Sequence, residues 1–194
     1  MRQTDIISYF DQASATWDQE LVHDDQKINT ILDYAQIHDN VRVLDVACGT
    51  GVLFPDYLAR NVAQITGVDI SSGMIAKARE KFQDPRIELL CADVQFLSFD
   101  TPFDCCMVYN AFPHFQFPSL LLGCLAKDLR DGGRLTIAHG MSRRQLDQHH
   151  SGSAHAVSVG LMPEDELRRL MAPLFEVDVM VSNEQMYVVS GFKK

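Results

Sequence analysis

The sequence predicts a doubly wound α/β domain, in which helices cover both faces of a parallel sheet, and three observations carry that expectation. The stretch Val41-Arg42-Val43-Leu44-Asp45-Val46-Ala47-Cys48-Gly49-Thr50-Gly51 is a β-branched run that ends in an acid and then in two glycines one residue apart, as a buried strand does when it turns sharply at a ligand. Glycines there let the backbone enter conformations closed to other residues and leave no side chain between chain and ligand. A second apolar run, residues 64–70, also ends near an acid, Asp69. Such runs then alternate with helix-length amphipathic segments, the order that builds parallel sheets. In such a sheet the carboxyl ends of neighbouring strands share one edge, so Asp45, the glycine turn and Asp69 face one crevice, where an acid at the second position typically binds ribose hydroxyls.

The remaining elements follow in order. Residues 1–20 precede the sheet and hold Tyr9, Phe10 and Trp17, the sole tryptophan, at roughly helical spacing. Apolar residues at Leu21, Ile28, Ile31, Leu32, Ala35 and Ile37 predict a helix over 21–38 that covers one sheet face, with His23 and His38 exposed in its polar surroundings. A helix over 52–60 starts at the glycine turn, and Pro55 falls in its first turn, where a missing amide proton costs little. The next, 71–82, opens on the capping pair Ser71-Ser72. A third strand, 87–92, is closed by Asp93, which reads locally as a helix or turn cap. Residues 103–110 are nearly continuous in apolar side chains, hence buried on both faces, and deliver Asn110 to Phe115 to the crevice edge. Residues 119–129 are helical, Asp131-Gly132-Gly133 turns, and 134–138 form a fifth strand that ends at His139. The span 140–162 holds Ser142, Arg143, Arg144, His149, His150, Gly152 and His155 without a period, and long connections of that kind are usually functional or mobile. Acids in the first turn suit a helix over 163–172, and 175–182 and 186–192 alternate as two last strands.

At 194 residues the chain suits one domain spanning 1–194. Its net charge of -9 repels phosphate backbones and anionic headgroups, which disfavours nucleic acid and membrane as partners and favours a small-molecule substrate. The five cysteines are odd in number and form no CxxC, so they read as reduced, buried small residues of a cytoplasmic protein. Neighbours on a strand point to opposite faces, which argues against a soft-metal or redox role for Cys105-Cys106. No apolar run reaches the roughly 18 residues of a spanning helix, and the amino terminus lacks a signal-peptide pattern. A monomer or homodimer is expected.

Five stretches, residues 43–51, Gly67-Val68-Asp69-Ile70-Ser71, Cys91-Ala92-Asp93-Val94, 103–110 and 129–135, occur in an order and spacing that resembles class I S-adenosylmethionine (SAM)-dependent methyltransferases. A nicotinamide or flavin site would put a third glycine where Phe54 stands, and SAM has no pyrophosphate to cradle. One departure runs the other way: Ala47 replaces the first glycine of the methyltransferase turn, so a small shift in that turn is expected. The resemblance implies a Rossmann-like seven-stranded sheet of order 3-2-1-4-5-7-6 with the last strand antiparallel. It implies SAM as cofactor, S-adenosylhomocysteine as product, and in-line methyl transfer to a small acceptor. Cofactor contacts would come from Asp45, Ala47, Cys48, Gly49, Gly51, Asp69, Ile70, Met74, Asp93, Val94 and Asn110, with Asp93 and Val94 at the adenine and the start of the 52–60 helix at the SAM carboxylate. At Met74, core packing and an adenosine contact are both open. Residues 1–20 are either a helix packed on the body or, as the resemblance suggests through Phe10-Asp11 and Trp17-Asp18, a lid over cofactor and substrate. A non-catalytic SAM-binding module is the alternative to an enzyme.

Five of the seven histidines lie between 114 and 155. Solvated loop residues, a general base near neutrality and a divalent metal site are three readings of them, and none of the pairs has the H-x-x-x-H spacing of a helical metal site, so no metal is assigned. Adjacent strands four and five would bring His114 and His139 together, and these two with Asn110 are the catalytic candidates.

Overall fold

The computed structural model describes residues 2–150 and 157–194; Gly152 and His155 lie outside the described residues, as do the side chains of His149 and His150. In chain order the elements are α1 (Gln3–Ala13), α2 (Trp17–Glu20), α3 (Asp25–Tyr34), β1 (Arg42–Val46), α4 (Phe54–Ala59), β2 (Gln64–Asp69), α5 (Ser72–Lys81), β3 (Ile87–Cys91), β4 (Phe103–Tyr109), α6 (Pro118–Asp128), β5 (Leu129–His139), α7 (Arg143–His150), α8 (Glu164–Met171), β6 (Phe175–Ser182) and β7 (Tyr187–Lys193). The seven strands form one sheet of order β3-β2-β1-β4-β5-β7-β6. Strands β1 to β5 pair in parallel, whereas β7 runs antiparallel to both its neighbours. The doubly wound fold expected from the sequence is therefore the fold observed, down to the strand order.

Period-two alternation sends successive strand residues to opposite faces, and here both faces are dry. Val43, Cys105 and Met107 pack with Ile28, Ile31 and Leu32 of α3 and Phe54 and Tyr57 of α4. Leu44, Val46, Cys106 and Val108 pack with Leu121, Leu122 and Leu125 of α6 and Leu167 and Met171 of α8. The vicinal pair Cys105-Cys106 is thus split between two cores, as alternation requires. Full burial of one such aliphatic side chain contributes about 1.5–3 kcal/mol, so the strands are held mainly by what their helices cover.

Several boundaries differ from the sequence reading. The helix expected over 21–38 starts at Asp25, because the Asp24 carboxylate accepts from the Lys27 amide at 3.0 Å and so caps it, and it ends before Gln36, which has φ 53°. The helix after the glycine turn begins only at Phe54, since the left-handed turn through Gly51 uses up the preceding residues. Asp131-Gly132-Gly133 is an irregularity inside β5, where the register to β4 shifts from Phe103↔Leu129 to Cys105↔Arg134. Cys91 is exposed and Cys124 half-buried, against the expectation that the cysteines are buried. The reason for Cys91 is its place on β3, the edge strand, whose side chains are half covered at best. Among the described residues no helix is long and apolar enough to cross a membrane.

Candidate cofactor and acceptor cavity

Where β1 ends, the backbone enters the left-handed region three times within five residues, at Ala47 (φ 53°), Gly49 (φ 56°) and Gly51 (φ 81°). The turn folds over the tip of β2: the Cys48 amide donates to the Val68 carbonyl at 3.1 Å and the Gly49 amide to the Asp69 carboxylate at 2.9 Å. Asp69 also accepts from the Ser71 amide at 2.8 Å, and the Ser71 hydroxyl in turn caps α5 through the Met74 amide. One carboxylate therefore joins the turn after β1 to the helix after β2. Burial pushes Asp69 above the usual carboxylate range, while the two amides hold it back.

Above this turn lies a cavity of about 420 Å³, within the size range of pockets that hold small-molecule ligands. Ala47, Cys48, Gly49, Asp69, Ile70, Met74, Asp93, Val94, Asn110 and His114, all expected at the site, wall it together. Three expected residues do not. Asp45 sits one step behind, 2% exposed, and desolvation pushes its carboxyl up to about 8; smaller influences are Tyr57, which favours the charged form, and Asp69, which disfavours it. Gly51 is needed for packing rather than for the cavity, since a β-carbon there would stand 2.6 Å from Phe54 and 2.8 Å from Phe82. His139 is fully buried with its ring 6.2 Å from that of Tyr187, and alternation puts it on the sheet face of Leu135 and Ile137. Adjacent strand ends were correctly expected; the direction of the last side chain depends on the β5 register and sends this imidazole into the core.

Ala47 keeps the left-handed conformation that glycine would take, at a cost for an L-residue of roughly 1–2 kcal/mol. Asn110, at φ 54°, ends β4, and its Oδ1 accepts from the Gly140 amide at 2.9 Å, which locks the tips of β4 and β5. At His114, Nδ1 lies 2.7 Å from the Val157 carbonyl. A carbonyl only accepts, so Nδ1 carries the proton and Nε2 the lone pair in the neutral ring.

The amino-terminal helices form the opposite wall. Phe10 meets the His114 ring edge-on at 5.0 Å and Trp17 at 5.7 Å. Polar bonds tie this wall down: Gln3 Nε2 donates to Asp93 at 2.6 Å, the Ser71 hydroxyl and Gly73 amide donate to Asp11 at 2.6 and 2.9 Å, and Lys81 meets Asp18 at 2.9 Å. Phe115 lines the cavity as expected of the loop after β4, whereas Gln3, Tyr109 and the rim residues Phe96 and Phe117 were not anticipated as cavity residues. The cluster of phenylalanines between 112 and 117 was the available signal for the rim, and nothing local marks Gln3. Away from the cavity, His23 Nε2 lies 3.3 Å from Asp25 and 3.4 Å from Asp56, a trio close enough to share a cation.

These residues fit SAM: two carboxylates on successive strand tips face the cavity, and the space over Gly49 is open, the nearest atom to a β-carbon there being Trp17 Nε1 at 4.0 Å. The family described as Methyltransferase domain matches residues 43–133. Over that stretch the chain is similar to methyltransferases, and its fold is the one they share. Among curated relatives, the malonyl-[acyl-carrier protein] O-methyltransferase of Priestia megaterium is 31% identical over 61% of this chain and 43% of its own length. That of Anoxybacillus flavithermus is 27% identical over 80% of this chain and 60% of its own. The chain thus spans about half the length of these relatives. The magnesium protoporphyrin IX methyltransferase of Synechocystis PCC 6803 shares the fold: with bound SAH at a TM-score of 0.73 and 16% identity over 100% of both chains, and with bound SAM at 0.71 and 15% over 98% of this chain and 96% of its own. SAM is the cofactor of this methyltransferase family, and the chain retains its turn with one substitution, Ala47.

Proposed function

We propose that this protein transfers a methyl group to a small-molecule acceptor bound between the strand tips and the amino-terminal helices, with His114 as the base. When bound, SAM supplies an electrophilic methyl group on a sulfonium whose departure needs no acid. Asp69 would accept from the ribose hydroxyls, Asp93 and the Val94 amide would hold the adenine, and the Gly49 turn would leave room for the methionine portion. Residues 1–20 act as a lid that excludes water and narrows the acceptor's orientations, which is where proximity gains arise. His114 takes the acceptor's proton on Nε2 while the Val157 carbonyl orients the ring and steadies the imidazolium. Asn110 positions the tip of β4 through Gly140.

The observation that carries this reading is the 2.7 Å contact from His114 Nδ1 to Val157, which presets the basic tautomer on the cavity wall. Replacing His114 with Gln tests it: SAM affinity by calorimetry should stay within about threefold, while turnover falls about 100-fold, as general-base losses do. Loss of SAM binding with retained turnover would place the histidine on the cofactor side instead. Five unpaired cysteines support a reducing, cytoplasmic setting.

A further inference from the structure

Apolar side chains outnumber charged ones around the cavity, among the described residues. Among the described residues three charged side chains line it, Arg2, Asp69 and Asp93. Each already has partners: Asp69 takes the Gly49 and Ser71 amides, Asp93 takes Gln3 and the Gln95 amide, and Arg2 forks onto Asp5 at 2.8 and 3.1 Å. Both carboxylates belong to the strand tips assigned above to the cofactor. Phe96, on the turn that Asp93 caps, and Phe117 and Leu120 border the same cavity while remaining 84%, 65% and 53% exposed. Phe96 ends the short turn Val94–Phe96 after β3, while Phe117 and Leu120 open α6, and these two elements pack on each other. Single exposed apolar residues are unremarkable, but three on one rim continuous with a ligand cavity form a patch of the kind that marks recognition.

We propose that this rim seats the body of the methyl acceptor, and that the acceptor is an uncharged aryl or alkyl compound whose reactive atom reaches toward His114 while its apolar remainder covers Phe96, Phe117 and Leu120. The inference rests on the reading that the acceptor enters this cavity. A carboxylate or phosphate would leave water for a site whose charged lining, among the described residues, is two aspartates and an arginine already forked to Asp5. A cationic acceptor would have to displace amides from those aspartates and lie across an apolar rim. An uncharged ring pays neither desolvation cost and removes the exposed phenylalanines from water.

The test uses the protein saturated with S-adenosylhomocysteine and two probes of like shape, 2-naphthol and 6-hydroxy-2-naphthoate, titrated by calorimetry. The expected result is saturable binding of 2-naphthol and at least tenfold weaker binding of the carboxylated probe. Phe117→Ser and Leu120→Ser, at exposed positions that leave the core intact, should each weaken 2-naphthol about fivefold without changing S-adenosylhomocysteine affinity. Equal or tighter binding of the naphthoate, no saturation by 2-naphthol, or rim variants indistinguishable from the parent would overturn the rim assignment. If that happened while His114→Gln still lowered turnover about 100-fold, the rim alone would be wrong. Failure of S-adenosylhomocysteine to bind would overturn the parent reading and this one with it.

Discussion

Asp69 and Asp11 both accept hydrogen bonds from the start of α5, yet their acidities move in opposite directions. Asp69, on the strand-tip wall, takes the Ser71 and Gly49 amides and is 8% exposed; desolvation outweighs the bonds and raises it. Asp11, on the amino-terminal wall, takes the Ser71 hydroxyl and the Gly73 amide in a more open setting, and there the bonds win and lower it. Asp18 on the same wall is also lowered: burial pulls it up, but Thr50 and Lys81 outweigh that pull. Similar donors thus meet a carboxylate on a dry wall and one on a wetter wall, and water access decides which way its acidity moves.

The largest effect that would break this comparison is at Asp69. Asp69→Ala strands the Gly49 and Ser71 amides, each at about 1–3 kcal/mol, so a stability loss of about 2–4 kcal/mol by urea unfolding is expected. SAM affinity should fall roughly 100-fold with it, equivalent to about 2.7 kcal/mol. Asp11→Ala frees two part-buried donors that water can reach and should cost about 1 kcal/mol; equal losses at both positions would erase the distinction.

Next comes the pH dependence of the strand-tip wall. Folded Asp45 holds its proton up to about pH 8, whereas the unfolded carboxyl releases it near 4. Between those values folding takes up a proton, so the stabilisation is whole below about pH 4 and is lost as pH climbs to about 8. Asp45→Asn should therefore flatten the decline in unfolding free energy between pH 5 and 8, and an unchanged slope would count against the buried-acid account. The amino-terminal wall carries the reverse sign. Its lowered Asp11 and Asp18 contribute stability that is present above the ordinary carboxylate value of about 4 and lost as pH falls below it. Acidification should shift the emission of Trp17, the sole tryptophan, to the red before far-ultraviolet dichroism reports loss of the sheet. Simultaneous transitions would mean that the two walls open as one.

The smallest effect sharpens the picture of the turn. Ala47→Gly relieves a left-handed alanine and should raise stability by about 0.5–1 kcal/mol, less the added flexibility of the unfolded chain. A loss of stability would show that the Ala47 methyl contributes more by packing than its backbone costs.

Local pattern was enough for the architecture. The β-branched run into Asp45 and the glycine turn, the acids at 69 and 93, and the continuous apolar strand before Asn110 specify parallel strands whose tips share an edge, because element type and strand polarity are written in residue-by-residue propensity and period. Tertiary packing decided what no window of sequence contains. The β5 register turned His139 into the core, residues far apart in the chain met as Gln3 and Asp93, and two separate elements brought Phe96 and Phe117 to one cavity. Direction and partnership at these positions depend on how distant segments settle against one another, and that settling is governed by the burial of the whole core rather than by the residues nearby.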